Sequence, residues 1–114
     1  MNIVIKPVPE IENSTDAVLT ALYMNDLELS KSNAMNIVES GIINIPHIRV
    51  LYECYLARYD YPRETFFLVG YSFQFIRHQQ LYCITYCVEP GKENLYKDVI
   101  INSIGTFVDE TGWY

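Results

Sequence analysis

Basic residues are scarce in this sequence, which has eight Lys and Arg against fourteen Asp and Glu and a formal net charge of −6. Proteins that bind duplex nucleic acid need clustered Lys and Arg to displace the counterions of the phosphates. Anionic membrane surfaces attract the same basic clusters. The charge balance therefore argues against nucleic-acid and membrane binding, and it favours solubility or a cationic partner.

Cysteine, glycine and long apolar runs are also rare. Three cysteines in a chain without a recognisable signal peptide predict reduced thiols in a cytoplasmic compartment. The five glycines stand singly, so no phosphate-cradling loop is expected. No apolar run approaches the ~18–20 residues that cross a bilayer. Together these absences predict a cytoplasmic protein with no membrane segment.

The residues that could hold a metal or act as a nucleophile form no known pattern. On a β-strand Cys83 and Cys87 would lie about 13 Å apart, which is too far to share an ion. Cys54 follows His47 by seven residues, but its aromatic neighbours favour packing over catalysis. His78 falls in a predicted turn, where an ordinary exposed imidazole is expected. We therefore predict no catalytic residue, no metal and no cofactor.

The stretch 65–88 predicts an antiparallel hairpin, because two aromatic and β-branched runs flank four polar residues, 77–80. The second run is apolar on both faces, which indicates a strand that is covered on both sides. Residues 2–6 contain three consecutive β-branched residues and end at Pro7, which predicts a short strand. This strand is expected beside the hairpin, because an isolated hairpin is only marginally stable.

Helical periodicity predicts four helices, over residues 16–25, 32–40, 46–61 and 93–106. A short strand at 99–101 is an alternative within the last of these. The most regular apolar face belongs to the third helix and comprises Ile48, Leu51, Tyr52, Tyr55, Leu56 and Tyr59. Arg49 and Glu53 are four residues apart on its opposite side, as in a solvent-exposed ion pair.

The predicted order of elements is β-α-α-α-β-β-α. It corresponds to a single α+β domain over residues 1–114, with helices packed on a small, mostly antiparallel sheet built around the hairpin.

Tyrosine is the residue in clear excess, with ten in 114 positions. Tyrosines suit interfaces as well as cores, and exposed ones beside acids would form a rigid recognition surface. The sequence thus favours a small acidic protein-binding module, an inhibitor or immunity-type protein that neutralises a cationic toxin or nuclease by occluding its active site. The predicted contacts to this basic protein partner are Asp26, Glu28, Asp109, Glu110, Trp113 and Tyr114.

Three alternatives remain open. The first is a small-molecule-sensing or regulatory subunit, with a pocket between the hairpin and the 46–61 helix that is lined by Tyr55, Phe73 and Tyr82. The second is an enzyme that uses His47 or His78. The third is a homodimer in which spare tyrosines meet across a two-fold axis.

Overall fold

The computed structural model describes residues 2–31, 35–45, 48–62, 64–89 and 97–111, without the side chains of 59–61, 66 and 107–111. Within these ranges five strands and two helices follow one another in the order β-α-β-β-β-β-α. They are β1 (Asn2–Pro7), α1 (Asp16–Lys31), β2 (Met35–Ile45), β3 (Ile48–Tyr61), β4 (Glu64–Arg77), β5 (Gln80–Val88) and α2 (Lys97–Thr111).

The strands form one antiparallel sheet in the order β1-β5-β4-β3-β2. The predicted hairpin is confirmed as β4 and β5, which are joined by a turn at His78 and Gln79. The prediction that the first strand lies beside the hairpin is confirmed too, because β1 pairs with β5. The strands β1 and β2 form the two edges of the sheet.

The predicted fold class, with three helices before the hairpin, is wrong. The segment predicted as a helix over 32–40 belongs in its described part to β2, and the 46–61 segment is β3 from Ile48 onward. Pro46 and His47 lie outside the described residues. Both faces of β3 are covered, so its apolar residues run almost without interruption, and such a run also matches helical spacing.

One face of the sheet, here called the aromatic face, carries most of the core. Its cross-strand pairs stack, with ring centroids 5.0 Å apart both for Tyr71 with Tyr86 and for Phe75 with Tyr82. Ile100 and Ile104 of α2 belong to the same buried cluster. The predicted last helix is therefore confirmed from Lys97 onward, while residues 93–96 of that prediction lie outside the described residues. The buried strand residues of this face are Ile45, Ile48, Val50, Tyr52, Cys54, Val69, Tyr71, Phe73, Phe75, Tyr82 and Tyr86.

The helix α1 covers the opposite face, here called the polar face, where Glu53, Ser72 and Gln74 are buried. It begins at Asp16, as the sequence predicts, and the Thr15 hydroxyl caps its first turn by accepting the N–H of Val18 at 3.3 Å. It continues to Lys31, beyond the predicted end at residue 25. Neither described helix is long and apolar enough to span a bilayer.

Candidate functional site

The predicted contact residues on α1 point in different directions. Glu28 is exposed, and its Oε1 lies 3.0 Å from the Nζ of Lys31. Asp26 is half-buried and accepts a hydrogen bond at 2.9 Å from the side-chain amide of Gln74. The two carboxylates therefore do not form one exposed surface.

The other predicted contacts belong to the end of the chain. Asp109 and Glu110 are residues of α2, but their side chains are not among those described. Trp113 and Tyr114 lie outside the described residues. Their part in a partner interface stays a prediction.

The tyrosines whose side chains are described do not supply the expected recognition surface. Among the described side chains no tyrosine is exposed. Tyr52, Tyr71, Tyr82 and Tyr86 are buried in the aromatic face, and Tyr55 is half-buried on the polar face. In the described part of the chain the tyrosine surplus therefore serves the interior.

Several exposed carboxylates have a basic neighbour. Asp16 pairs with Arg49, which corrects the expected pairing of Arg49 with Glu53. Glu39 Oε1 lies 3.8 Å from Lys97 Nζ. Each such pair offsets one exposed negative charge, although exposed ion pairs contribute little to stability.

A cavity of about 250 Å³ lies between α1 and the polar face. One wall is apolar and is formed by Leu29, Met35, Ile37 and the ring of Tyr55. The predicted pocket also included Tyr55, but its other two residues, Phe73 and Tyr82, lie on the aromatic face. The polar wall of this space, here called the acid-pair cavity, comprises Asp26, Glu53, Ser72, Gln74, Cys83 and Thr85.

The amide of Gln74 joins the polar groups of this wall. Its Nε2 donates to Asp26 Oδ2 at 2.9 Å and to Glu53 Oε1 at 3.1 Å, and it lies 3.3 Å from Ser72 Oγ. The strand register explains this meeting, since Glu53 is opposite Ser72 and Gln74 is opposite Cys83. One side chain thus links α1 to β3 through the carboxyl groups of both elements.

Glu53 is the unusual residue of this network, because it is an acidic residue that is only 3% exposed. Burial raises its pKa to about 8, and the hydrogen bond and the charge of Asp26 act in the same direction. Near neutral pH the carboxyl group is therefore mostly protonated. Its Oε2 is buried and has no hydrogen-bond partner among the described residues.

The arrangement offers little for nucleophilic or metal chemistry. Burial raises the pKa of the Cys83 thiol, which keeps it in the unreactive thiol form. Among the described residues no group of three or more His, Cys, Asp or Glu is placed to hold a metal ion. Of the two histidines, His78 is exposed in the β4–β5 turn and does not line the acid-pair cavity, and His47 is not described.

A second groove, of about 270 Å³, lies on the aromatic face between β1 and α2. Ile3, Ile5, Ile100 and Ile104 contribute to its walls, and Ser103 stands at its edge. It has almost no polar surface to orient a ligand, whereas the acid-pair cavity combines apolar walls with convergent polar groups. The acid-pair cavity is therefore the better candidate site.

Sequence reasoning missed Glu53 because the helix prediction placed it on a solvent-exposed side. A signal was present, since Glu53 stands between Tyr52 and Cys54 inside an apolar, β-prone run. A charged residue that interrupts such a run is a candidate for burial with a partner.

Comparisons of the chain with protein-family models, with curated proteins and with solved structures found no match.

Proposed function

We propose that this protein binds a small molecule in the acid-pair cavity and acts as a sensor or regulatory subunit. The observation that carries the proposal is Glu53, which lines the cavity although it is only 3% exposed, and whose Oε2 has no hydrogen-bond partner among the described residues. A buried carboxyl group without a full set of hydrogen bonds costs stability, and such groups concentrate at functional sites.

The dimensions of the cavity indicate a compact ligand. Its volume of about 250 Å³ lies just below the range of roughly 300–1,000 Å³ that is usual for ligand sites. The apolar wall of Leu29, Met35 and Ile37 would contact the body of the ligand. The acid pair and Gln74 would fix its polar end, so orientation would come from one side of the cavity only.

The test uses two serines that stand in equivalent settings at the two cavities. Ser30 lines the acid-pair cavity, and its hydroxyl donates to the carbonyl oxygen of Leu27 on the same helix at 2.8 Å. Ser103 lines the groove on the aromatic face, and its hydroxyl donates to the carbonyl oxygen of Val99 at 2.7 Å. A tryptophan at either position fills one cavity and leaves the other open.

A fragment library is screened by ligand-observed NMR against the wild type, Ser30→Trp and Ser103→Trp. Circular dichroism confirms that each variant is folded. We expect fragments that bind the wild type and Ser103→Trp but lose binding to Ser30→Trp. Fragments that bind all three proteins equally, or no fragment at all, would contradict the proposal.

A second function, that of an acidic inhibitor or immunity-type module with a basic protein partner, is supported by the net charge of −6. Its test is capture of a basic partner by the full chain, followed by release at rising salt concentration. Glu28→Gln removes a predicted contact, and Glu64→Gln is the control at an exposed carboxylate outside the predicted set. We expect weaker capture for Glu28→Gln alone, and a complex insensitive to salt would contradict this function.

A further inference from the structure

We propose that the ligand of the acid-pair cavity is a small organic cation, an ammonium group on a compact apolar body, held by the carboxyl groups of Asp26 and Glu53. This inference rests on the proposed function and assigns the chemical class of the ligand.

The first argument is the charge of the cavity wall. The carboxyl groups of Asp26 on α1 and Glu53 on β3 both line the wall, and none of the described side chains that line it is basic. Lys6 of β1, which acts on the neighbouring Cys83 thiol, is exposed and does not line the cavity. A negatively charged cleft with apolar walls attracts cations and repels anions.

The second argument is the number of acceptors. Gln74 Nε2 occupies one oxygen of each carboxyl group, Asp26 Oδ2 and Glu53 Oε1. Glu53 Oε2 remains without a donor among the described residues. An ammonium group has three donors and no acceptor, so it complements this acceptor-rich wall.

The third argument separates an organic cation from a metal ion. Two carboxyl groups are too few for the six to eight oxygen ligands of calcium, and among the described residues no third acidic, His or Cys side chain is placed to hold a metal ion with them. The opposite wall is formed by aliphatic side chains and the ring of Tyr55. These surfaces suit an apolar carbon skeleton, and an aromatic ring also attracts an organic cation.

Binding of a cation has a consequence for protonation. Near neutral pH the Glu53 carboxyl carries a proton because it is buried beside Asp26. The titratable or charged groups around it are Asp26 from α1, the Tyr55 phenol from β3, the Cys83 thiol from β5 and, more distantly, Lys6 from β1. An ammonium group bound to the two acids replaces the hydrogen bond between them and favours the ionised form of Glu53, so the proton leaves to solvent as the cation enters.

The experiment compares probes that differ in charge but not in shape. Benzylammonium and isobutylammonium are titrated by calorimetry into the wild type, beside benzyl alcohol and isobutanol. We expect the ammonium probes to bind about tenfold or more tightly than the matched alcohols. Titration at pH 6.5 in two buffers with different ionisation enthalpies should show release of a fraction of a proton, up to one, per cation bound.

Two variants locate the effect. Glu53→Gln keeps the size and the neutral form of the side chain, and Asp26→Asn keeps the size of its partner but removes the carboxylate. Each should weaken binding of benzylammonium by about tenfold or more, while Glu28→Gln on the exposed side of α1 should leave it unchanged. The proton count in the wild type provides a readout that does not depend on whether a variant folds.

The experiments distinguish failure of the cation assignment from failure of the proposed function. Alcohols that bind as tightly as the ammonium probes, with loss of both in Ser30→Trp, would overturn the cation assignment and leave the proposed function standing. Ammonium binding that Glu53→Gln does not change and that releases no proton would also overturn it. Absence of binding for every probe and every fragment would overturn both proposals.

Discussion

The ring of Tyr55 on β3 lies directly over Gly70, its partner on β4 in the strand register. A Cβ atom at position 70 would overlap the ring, so the close approach requires glycine. Because Tyr55 also lines the acid-pair cavity, the missing side chain of Gly70 positions one wall of the candidate site.

Gly70→Ala should lower the free energy of unfolding by about 1–3 kcal/mol, since the ring must move out of its packed position. Gly41→Ala on β2 is the matched control, because no atom lies within 4 Å of a Cβ built there. Urea denaturation of both variants measures the difference. Adding Tyr55→Leu to Gly70→Ala should restore part of the loss, and strictly additive effects would contradict the predicted overlap.

The pKa of Glu53 predicts how stability changes with pH. The folded state raises this pKa from an ordinary value of 4.5 to about 8, so the native protein binds the proton more tightly than the unfolded chain. The protonated carboxyl of Glu53 therefore contributes stability to the folded state that is fully present below about pH 4.5. This contribution is lost as the pH rises to about 8. The slope contributed by this group is at most about 1.4 kcal/mol per pH unit.

Glu53→Gln, which mimics the protonated carboxyl, should remove this slope from the free energy of unfolding. We expect the variant to match the wild type near pH 3.5 and to exceed it in stability near pH 8.5. Guanidinium denaturation at a series of pH values gives the comparison, with Glu28→Gln as the control carboxylate. Parallel curves for the wild type and Glu53→Gln would show that the pKa of Glu53 is not raised.

The β4–β5 turn contains two residues with positive φ, His78 at 50° and Gln79 at 62°. This is the backbone of a type I′ turn, which Asn and Gly adopt with less strain. The double change His78→Asn with Gln79→Gly should raise the free energy of unfolding by about 0.5–1 kcal/mol. Differential scanning calorimetry measures it as a higher melting temperature.

The double variant loses the hydrogen bond from the Gln79 side chain to Pro9 O. We still expect a higher free energy of unfolding, because that bond is solvent-exposed and contributes little. The backbone bonds from Val8 N to Gln79 O, at 2.8 Å, and from Gln79 N to Glu12 O, at 3.1 Å, do not depend on the side chain. A lower melting temperature would mean that the side-chain contacts of the turn outweigh its backbone strain.

The aromatic face should dominate stability. Phe73→Ala removes a ring that is 0% exposed and should cost about 3–5 kcal/mol, enough to unfold much of the protein. Phe73→Leu keeps the measurement possible if the alanine variant does not fold, at a cost of about 1–2 kcal/mol. Phe67→Ala on the same strand is the control, because Phe67 is 44% exposed and should cost less than 1 kcal/mol. Similar losses of unfolding free energy in the Phe73 and Phe67 variants would contradict the dominant role of the buried aromatic residues.

The local features of the fold were predictable from local sequence. The hairpin was readable because its two runs alternate β-prone residues around a short polar turn, and the start of α1 was readable from its capping residues. The conformation of Ile48–Tyr61 was not readable from spacing, because residues such as Ile48, Leu51 and Tyr52 fit a helical face and a doubly covered strand equally well.

The candidate site shows the same division. Asp26 was singled out by its charge, but as a surface contact, and its place beside Gln74 depends on α1 lying across the polar face. Glu53 was assigned to solvent, because its burial follows from the strand conformation of β3. The excess of tyrosine was obvious in the composition, whereas the inward direction of the described rings was not.

By itself, then, the sequence determined the acidic charge, the hairpin, the first strand and the beginning of α1, because each depends on composition or on residues a few positions apart. The tertiary structure decided that Ile48–Tyr61 is a strand, that the described tyrosines pack inward and that Glu53 meets Asp26 at the acid-pair cavity. These outcomes depend on what covers each face of the sheet. The covering elements come from distant parts of the chain, so no local pattern specifies them.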